Sequence, residues 1–178
     1  RRFLVVSLPA ALYRIRWWTV AVTAGFLALA VVAGWWVATD PGALAAMGTP
    51  TERQQYVDEA FASYYDPGIG FAGVVWTNNA WIAAVCIGIG ISGVGPLYVL
   101  VQNAVSVGAT GGMMAAHGSL DVFLTLIAPH GLLELTSIFV AGAAGLRLCW
   151  TWIAPDGRPR ARALAEEGRS LVTVAIGL

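Results

Sequence analysis

Long uncharged runs separated by short polar segments dominate the pattern of this chain. The first run, from Trp17 to Thr39, contains no charged residue and carries a Trp pair at each end. Such pairs form aromatic belts where a helix meets the two headgroup layers. From Phe71 to Trp152 only Asp121, Glu134 and Arg147 are charged. Because about 20 apolar residues suffice to cross a bilayer, the pattern predicts an all-α, polytopic transmembrane helix bundle.

The distribution of charge sets the orientation and the number of spans. Arginines precede the first run without an acidic residue, acidic residues dominate the loop 40–70, and arginines return in the segment 153–170. By the positive-inside rule the N-terminal side and the segment 153–170 are cytoplasmic, and the loop 40–70 is external. Three crossings fit between them. We predict four complete spans and the start of a fifth, at about 17–39, 72–93, 96–116, 122–150 and from 171 onward.

The fourth predicted span is longer than one crossing needs, and it contains Pro129-His130-Gly131. Either this helix is tilted and kinked at the proline, or 120–128 forms a short outer segment and the span begins at Gly131. The second interpretation is preferred, because 131–150 is long enough by itself. A Pro-His-Gly break is therefore expected at 129–131.

The external loop is predicted to contain a short amphipathic helix. Thr51 and Gln54 have the spacing of a capping box. Apolar residues then recur at helical spacing on one face, which is typical of a helix lying on a membrane surface or binding a partner. They are Val57, Ala60, Phe61 and Tyr64.

Composition excludes a soluble globular domain. Charged residues make up 11% of the chain and mean hydropathy is +0.71, whereas soluble domains carry about a quarter charged residues. The net charge is zero, so nothing indicates a nucleic-acid partner. Cys86 and Cys149 lack metal-site spacing, and no cofactor or metal is expected. The chain is interpreted as a single transmembrane domain, 1–178, that is a fragment of a longer protein.

Small residues four apart recur within the predicted spans, and such faces allow close approach of helix backbones in lipid. They fit packing within the bundle or the seam of a homo-oligomer, and the spacing does not separate these two. The pairs are Ala84/Gly88, Gly88/Ser92, Gly108/Gly112 and Ala141/Gly145.

Ionisable and amide side chains inside the spans are the candidate chemistry, because each is unfavourable in hydrocarbon. Arg147 is near a helix end and is expected to extend to the headgroups, and Asp121 is expected to cap a helix. His130 and Glu134 are four apart and share a helix face. The amides expected at similar depth are Asn78, Asn79, Gln102 and Asn103.

This intramembrane polar cluster has three interpretations. Its members satisfy one another and fix helix register, or they line a transport or proton pathway, or they contribute to a metal-dependent intramembrane hydrolase. The third is the weakest, because His-x-x-x-Glu differs from the His-Glu-x-x-His pattern of metalloproteases. No residue is assigned as catalytic.

The segments 129–134 (PHGLLE) and 141–148 (AGAAGLRL) resemble the stage II sporulation protein M family of integral membrane proteins. The likeness covers roughly 3–169. Further elements agree in order: Phe71, Asn78-Asn79, Gly88-Ile89-Gly90, Gln102-Asn103 and Gly108. Under this resemblance, five residues match the recurring polar positions of the family, namely Asn78, Asn79, Asn103, His130 and Glu134.

The resemblance implies a non-enzymatic scaffold that assembles a cell-envelope complex. In endospore formers the family name belongs to a membrane protein that holds peptidoglycan-remodelling enzymes, and relatives elsewhere look like partners of MoxR-type ATPase systems. The alternatives are a transporter or channel subunit and, third, the hydrolase. We expect a bacterial cytoplasmic (inner) membrane location, with membrane lipids and other envelope proteins as partners. Arginine without lysine and abundant Ala and Gly favour an actinobacterial source.

Overall fold

The computed structural model describes residues 2–65 and 69–177, without the side chains of 60–65, 69–72, 74–76, 79, 126–130, 132 and 133. Every element in these ranges is helical. A π-helical turn, Phe3–Ser7, leads into the first helix. The helices are α1 (Leu8–Thr39), α2 (Pro41–Ala46), α3 (Pro50–Tyr65), α4 (Ile69–Gly88), α5 (Val94–Ala116), α6 (Leu120–Ile153) and α7 (Arg160–Gly177), with a 3-10 turn at Gly90–Ser92.

Three described stretches are long and apolar enough to cross a membrane, namely Phe3–Thr39, Val94–Ala116 and Glu134–Ile153. They correspond to the first, third and fourth predicted spans, which confirms a helical, membrane-type protein. The second predicted span falls on α4, and several of its side chains lie outside the described residues. The total number of spans stays a prediction.

The helices end and begin where the sequence places its turns. α4 stops at Gly88, and α5 starts at Val94 after Gly93, whose φ of 66° suits a residue without a side chain. Pro96 lies in the first turn of α5, where a missing N–H has no consequence. The second turn, between α5 and α6, contains Gly118 with a φ of 72°.

Two details of α6 differ from the sequence-based expectation. The helix is continuous from Leu120 to Ile153, so the break expected at Pro129-His130-Gly131 is not confirmed. A membrane helix can contain a proline without breaking, because groups of neighbouring helices can hydrogen-bond to the backbone carbonyl that the proline leaves without a donor.

Asp121 is the second helical residue of α6 and lies in its first turn. It does not occupy the N-cap position, because the helix begins one residue earlier.

α7 begins at Arg160, well before the apolar run that starts at Leu171. It runs antiparallel to the beginning of α1, because Glu167 contacts Arg14 while Gly177 adjoins the side chain of Leu8. The interpretation of Leu171 as the start of a fifth span stays a prediction.

The chain divides into two compact units. The first consists of Arg1–Ala24, Asn78–Leu100 and Leu135–Leu178, and the second of Gly25–Thr77 and Val101–Glu134. The first unit has an apolar core formed by α1, α6 and α7, with Ile15 and Val174 fully buried. The second buries Phe26, Met113 and Met114 among other residues.

Candidate functional site

A buried carboxylate held by two arginines links three helices of the first unit. The side chain of Glu167 is only 1% exposed. Its Oε2 accepts a hydrogen bond from Arg14 Nε at 3.1 Å and forms an ion pair with Arg14 Nη2 at 2.9 Å. Its Oε1 accepts one from Arg147 Nε at 2.6 Å. This cluster, Arg14–Glu167–Arg147, therefore links α1, α6 and α7.

The sequence of α7 explains the position of Glu167. Ala163, Glu167, Leu171 and Val174 recur at helical spacing and form the buried face of this helix. An acid on such a face is taken out of water, which is strongly unfavourable unless it is paired and hydrogen-bonded. The two guanidinium groups satisfy this requirement.

The apolar surroundings of the cluster strengthen it. Ala11, Ile15 and Leu171 pack into one core with residues of α6. Attraction between unlike charges rises as the local dielectric constant falls. Because both oxygens of Glu167 accept hydrogen bonds from arginine, this carboxylate ties three helices together.

The expectation for Arg147 needs correction. Its side chain is 26% exposed and ends on Glu167, so it pairs within the protein instead of extending freely to the headgroups. Sequence reasoning missed Glu167 altogether. The available signal was the spacing of α7: Glu167 lies four residues after Ala163 and four before Leu171, so an acidic residue falls on an otherwise apolar helix face.

The predicted intramembrane polar cluster is only partly within the described residues. Asn78 lies exposed on α4 in the first unit. Gln102, Asn103 and Glu134 belong to the second unit, where Gln102 is exposed and the other two are partly buried. The side chains of His130 and Asn79 lie outside the described residues. A meeting of all six groups therefore stays a prediction.

The small-residue pairs differ in their surroundings. A Cβ on Gly108 would collide with the backbone of Ala30, and one on Gly34 would lie 2.8 Å from the carbonyl oxygen of Gly108. Gly112 meets the backbone of Gly34 in the same way. This α1–α5 seam, formed by Ala30, Gly34, Gly108 and Gly112, is a close approach of two helix backbones within the second unit.

A second close approach lies in the first unit. Gly145, which follows Ala141 by four residues, adjoins the backbone of Cys86, and a Cβ on Gly90 would lie 2.8 Å from Gly145 Cα. By contrast, a Cβ on Gly88 would meet nothing within 4 Å, and Ser92 is exposed. A role of the Gly88 and Ser92 face in association of copies stays a prediction.

The loop after α1 contains two helices instead of one. Asp40 caps α2, accepting a hydrogen bond from the backbone N–H of Ala43 at 2.6 Å. A second contact holds α2 to the start of α3: Arg53 Nη1 donates to the carbonyls of Leu44, at 2.9 Å, and Gly48, at 2.5 Å. We call this pair the α2–α3 hairpin.

The capping box of α3 lies two residues earlier than predicted. Thr49, not Thr51, is the capping residue: its backbone N–H and hydroxyl both donate to Glu52 Oε2 at 2.8 Å. The Glu52 N–H contacts the Thr49 hydroxyl at 3.3 Å. Pro50 then takes the first helical position, which proline favours. The Thr49 N–H, and then its hydroxyl, lower the pKa of Glu52.

Among the described side chains, no three His, Cys, Asp or Glu residues are close enough to bind a metal ion.

The comparisons with known proteins give one family. The family model described as Stage II sporulation protein M matches residues 23–178, which is most of the chain. No curated protein and no solved structure matches the chain significantly.

Proposed function

Since the chain belongs to the stage II sporulation protein M family of membrane proteins, we propose that it is a non-enzymatic scaffold that assembles a cell-envelope complex. Peptidoglycan-remodelling enzymes or MoxR-type ATPase systems are the proposed partners. The proposed location is the bacterial cytoplasmic membrane, with the loop 40–70 external and the segment 153–170 cytoplasmic.

The observation that carries this proposal is the Arg14–Glu167–Arg147 cluster. A transport pathway or a hydrolytic centre needs ionisable groups that exchange protons or ligands. In this cluster the buried charge is instead fully occupied in joining three helices. That arrangement suits a protein whose task is to hold a fixed geometry, and it supports scaffolding over chemistry.

The α2–α3 hairpin supplies a surface on which a partner could assemble. Three polar contacts hold this segment in a defined conformation outside the long apolar helices. They are the cap of α2 by Asp40, the cap of α3 by Thr49 and the hydrogen bonds from Arg53. On α3, Gln54 donates to Asp58 and Gln55 donates to Glu59, so an exposed face carries ordered polar side chains. These features support recognition at this segment.

The test compares partner recovery with transport in the same variants. The tagged full-length protein is cross-linked in its own bacterium, and recovery of peptidoglycan-remodelling enzymes and MoxR-type ATPases is measured. We expect Glu59→Arg on α3 to reduce recovery of peptidoglycan-remodelling enzymes, and Asp156→Asn, an exposed change outside the hairpin, to leave it unchanged. Proton and solute flux is measured in parallel in proteoliposomes.

Glu134 separates the scaffold from a transporter. A scaffold is expected to tolerate Glu134→Gln, which keeps hydrogen-bonding capacity, and to lose stability with Glu134→Ala, which does not. Flux that disappears with Glu134→Gln while folding and partner recovery persist would establish transport and overturn the proposal. Unchanged recovery with Glu59→Arg would remove the α2–α3 hairpin from it.

A further inference from the structure

Aromatic side chains mark one level of the first unit. Trp18, near the start of the uncharged run of α1, packs against Trp150, near the end of α6, with ring centroids 6.2 Å apart. Trp17 and Trp152 are exposed beside them. Trp and Tyr concentrate where membrane helices meet the headgroups. The contact therefore places the two helix ends at a common membrane interface.

Two arginines lie over aromatic rings at this level. The Arg16 guanidinium is 3.7 Å from the ring centroid of Tyr13 and 5.6 Å from that of Trp17. Arg160 lies 5.8 Å from the ring centroid of Trp152. Each also donates to a backbone carbonyl, Arg16 to Tyr13 and Arg160 to Trp152. Stacking and these hydrogen bonds hold both guanidinium groups in place.

Acidic residues neutralise other arginines nearby but not these. Glu166 accepts hydrogen bonds from Arg158 at 2.8 Å and from Arg162 at 3.0 Å. Within the described part of the chain, Arg16 and Arg160 have no acidic partner within ion-pair distance, and Arg169 on α7 likewise has none. A net positive surface remains.

The outer face of α7 carries a further arginine without an acidic partner among the described residues, Arg169. Opposite its buried face the helix exposes Arg162 and Arg169 together with Val172 and Ile176. Exposed apolar side chains beside arginines are typical of a surface that contacts the boundary between the headgroups and the acyl chains. Its apolar side chains can enter the acyl boundary while the arginines stay among the headgroups.

We propose that an arginine–aromatic belt, formed by Tyr13, Arg16, Trp17, Trp152 and Arg160, binds the headgroups of anionic phospholipids together with Arg169 of α7. The guanidinium fork matches the oxygens of a phosphodiester in geometry as well as charge. The aromatic and apolar neighbours favour a lipid over a soluble anion, because they place the arginines beside the acyl region.

The test measures selection of anionic lipid by the intact protein. The protein is reconstituted into bilayers of phosphatidylcholine mixed with phosphatidylglycerol and then extracted, and the retained lipids are identified by native mass spectrometry. We expect phosphatidylglycerol to be enriched over its bulk fraction. Replacing Arg16, Arg160 and Arg169 by Gln is expected to abolish this enrichment, so that the retained phosphatidylglycerol falls to its bulk fraction, because each arginine near the surface contributes to the attraction of anionic lipid.

Arg158→Gln is the matched control, because Asp156 and Glu166 already pair with Arg158. It is expected to keep the enrichment of the unaltered protein. Arg169→Gln, a change at an exposed side chain, provides a folded single variant if the triple variant is unstable. The melting temperature in pure phosphatidylcholine reports folding.

Three results would overturn the proposal. Enrichment that persists in both the triple variant and Arg169→Gln would exclude these arginines as the lipid contact. An equal loss of phosphatidylglycerol enrichment in Arg158→Gln would show that the enrichment depends only on the net charge of the protein. Loss of enrichment on adding inorganic phosphate, but not sodium chloride of matched ionic strength, would indicate a site for a soluble anion.

Discussion

Helix α1 makes two contacts of different physical kinds. In the first unit, Arg14 binds Glu167, and a buried ion cluster holds the contact. In the second unit, the α1–α5 seam has no charge and depends on the absence of side chains at Gly108 and Gly112. The seam can be predicted from one helix alone, because Gly108 and Gly112 of α5 are four residues apart. The cluster needs three residues that are remote in sequence, and the local pattern of α7 shows that Glu167 lies on an apolar face but not which arginines pair with it.

The largest expected effect separates these two kinds of contact. Glu167→Ala leaves Arg14 and Arg147 without their shared acid in a mostly apolar site. Because both arginines are partly exposed, we expect a loss of about 3 kcal/mol in the free energy of unfolding, the lower end of the range for broken buried ion pairs. Equilibrium unfolding in mixed micelles measures it. Glu166→Gln, at a neighbouring acid on the surface of α7, is the control and should have little effect.

The two arginines should contribute unequally. The side chain of Arg147 is 26% exposed and that of Arg14 is 42% exposed, so solvent screens the Arg14 pair more strongly. Arg147→Met is therefore expected to destabilise more than Arg14→Met, and both effects should shrink once Glu167 is absent. Equal effects of Glu167→Ala and Glu166→Gln would show that the cluster is not a stabilising contact.

The seam predicts the next largest effect, with opposite signs at two glycines of the second unit. Gly108→Ala places a methyl group against the backbone of Ala30 and is expected to destabilise by about 1–3 kcal/mol. Gly25→Ala meets nothing within 4 Å and should stabilise by up to about 1 kcal/mol, because alanine favours helix. Both are measured by equilibrium unfolding. If both substitutions changed the free energy of unfolding in the same direction, contact across the seam would not be the cause of the Gly108→Ala effect.

These contacts also show what sequence patterns can predict. The uncharged runs predicted membrane-type helices because lipid imposes a length and an apolar surface. The glycines near 93 and 118 marked turns because their backbone needs positive φ. The partners of Glu167 could not be found in this way, since Arg14 and Arg147 become its neighbours only through tertiary packing.

The α2–α3 hairpin is intermediate in predictability between the seam and the Arg14–Glu167–Arg147 cluster, because its polar contacts join residues close in sequence. The sequence identified a capping box but placed it at Thr51 instead of Thr49, where Pro50 and Glu52 complete the motif. A Thr and an acceptor three residues later occur twice in this short segment. Choosing between them requires knowing where the first helical turn begins.

Arg53 provides the next prediction, because hydrogen bonds from its side chain join α2 to the start of α3. Arg53→Met removes the hydrogen bonds to the carbonyls of Leu44 and Gly48. We expect a local loss of about 1.5 kcal/mol, as for hydrogen bonds from charged donors, seen as faster hydrogen exchange at residues 43–48. Arg53→Lys should restore part of the protection, because lysine keeps the charge without the planar fork. Unchanged exchange in Arg53→Met would mean that capping alone holds the hairpin.

The smallest effect concerns the cap of α3 and depends on pH. The Thr49 N–H and hydroxyl lower the pKa of Glu52 in the folded state, so the ionised carboxylate stabilises the first turn at neutral pH. That stabilisation is complete above the unfolded pKa and is lost as pH falls through the lowered folded pKa. Hydrogen exchange at residues 52–54, corrected for intrinsic rates, should show this loss in the native protein and not in Glu52→Gln. Equal pH dependence in both proteins would assign the acid sensitivity to another group. The seam, which contains no ionisable side chain, should keep its protection over the same range, so acid would distinguish contacts made by charge from contacts made by shape.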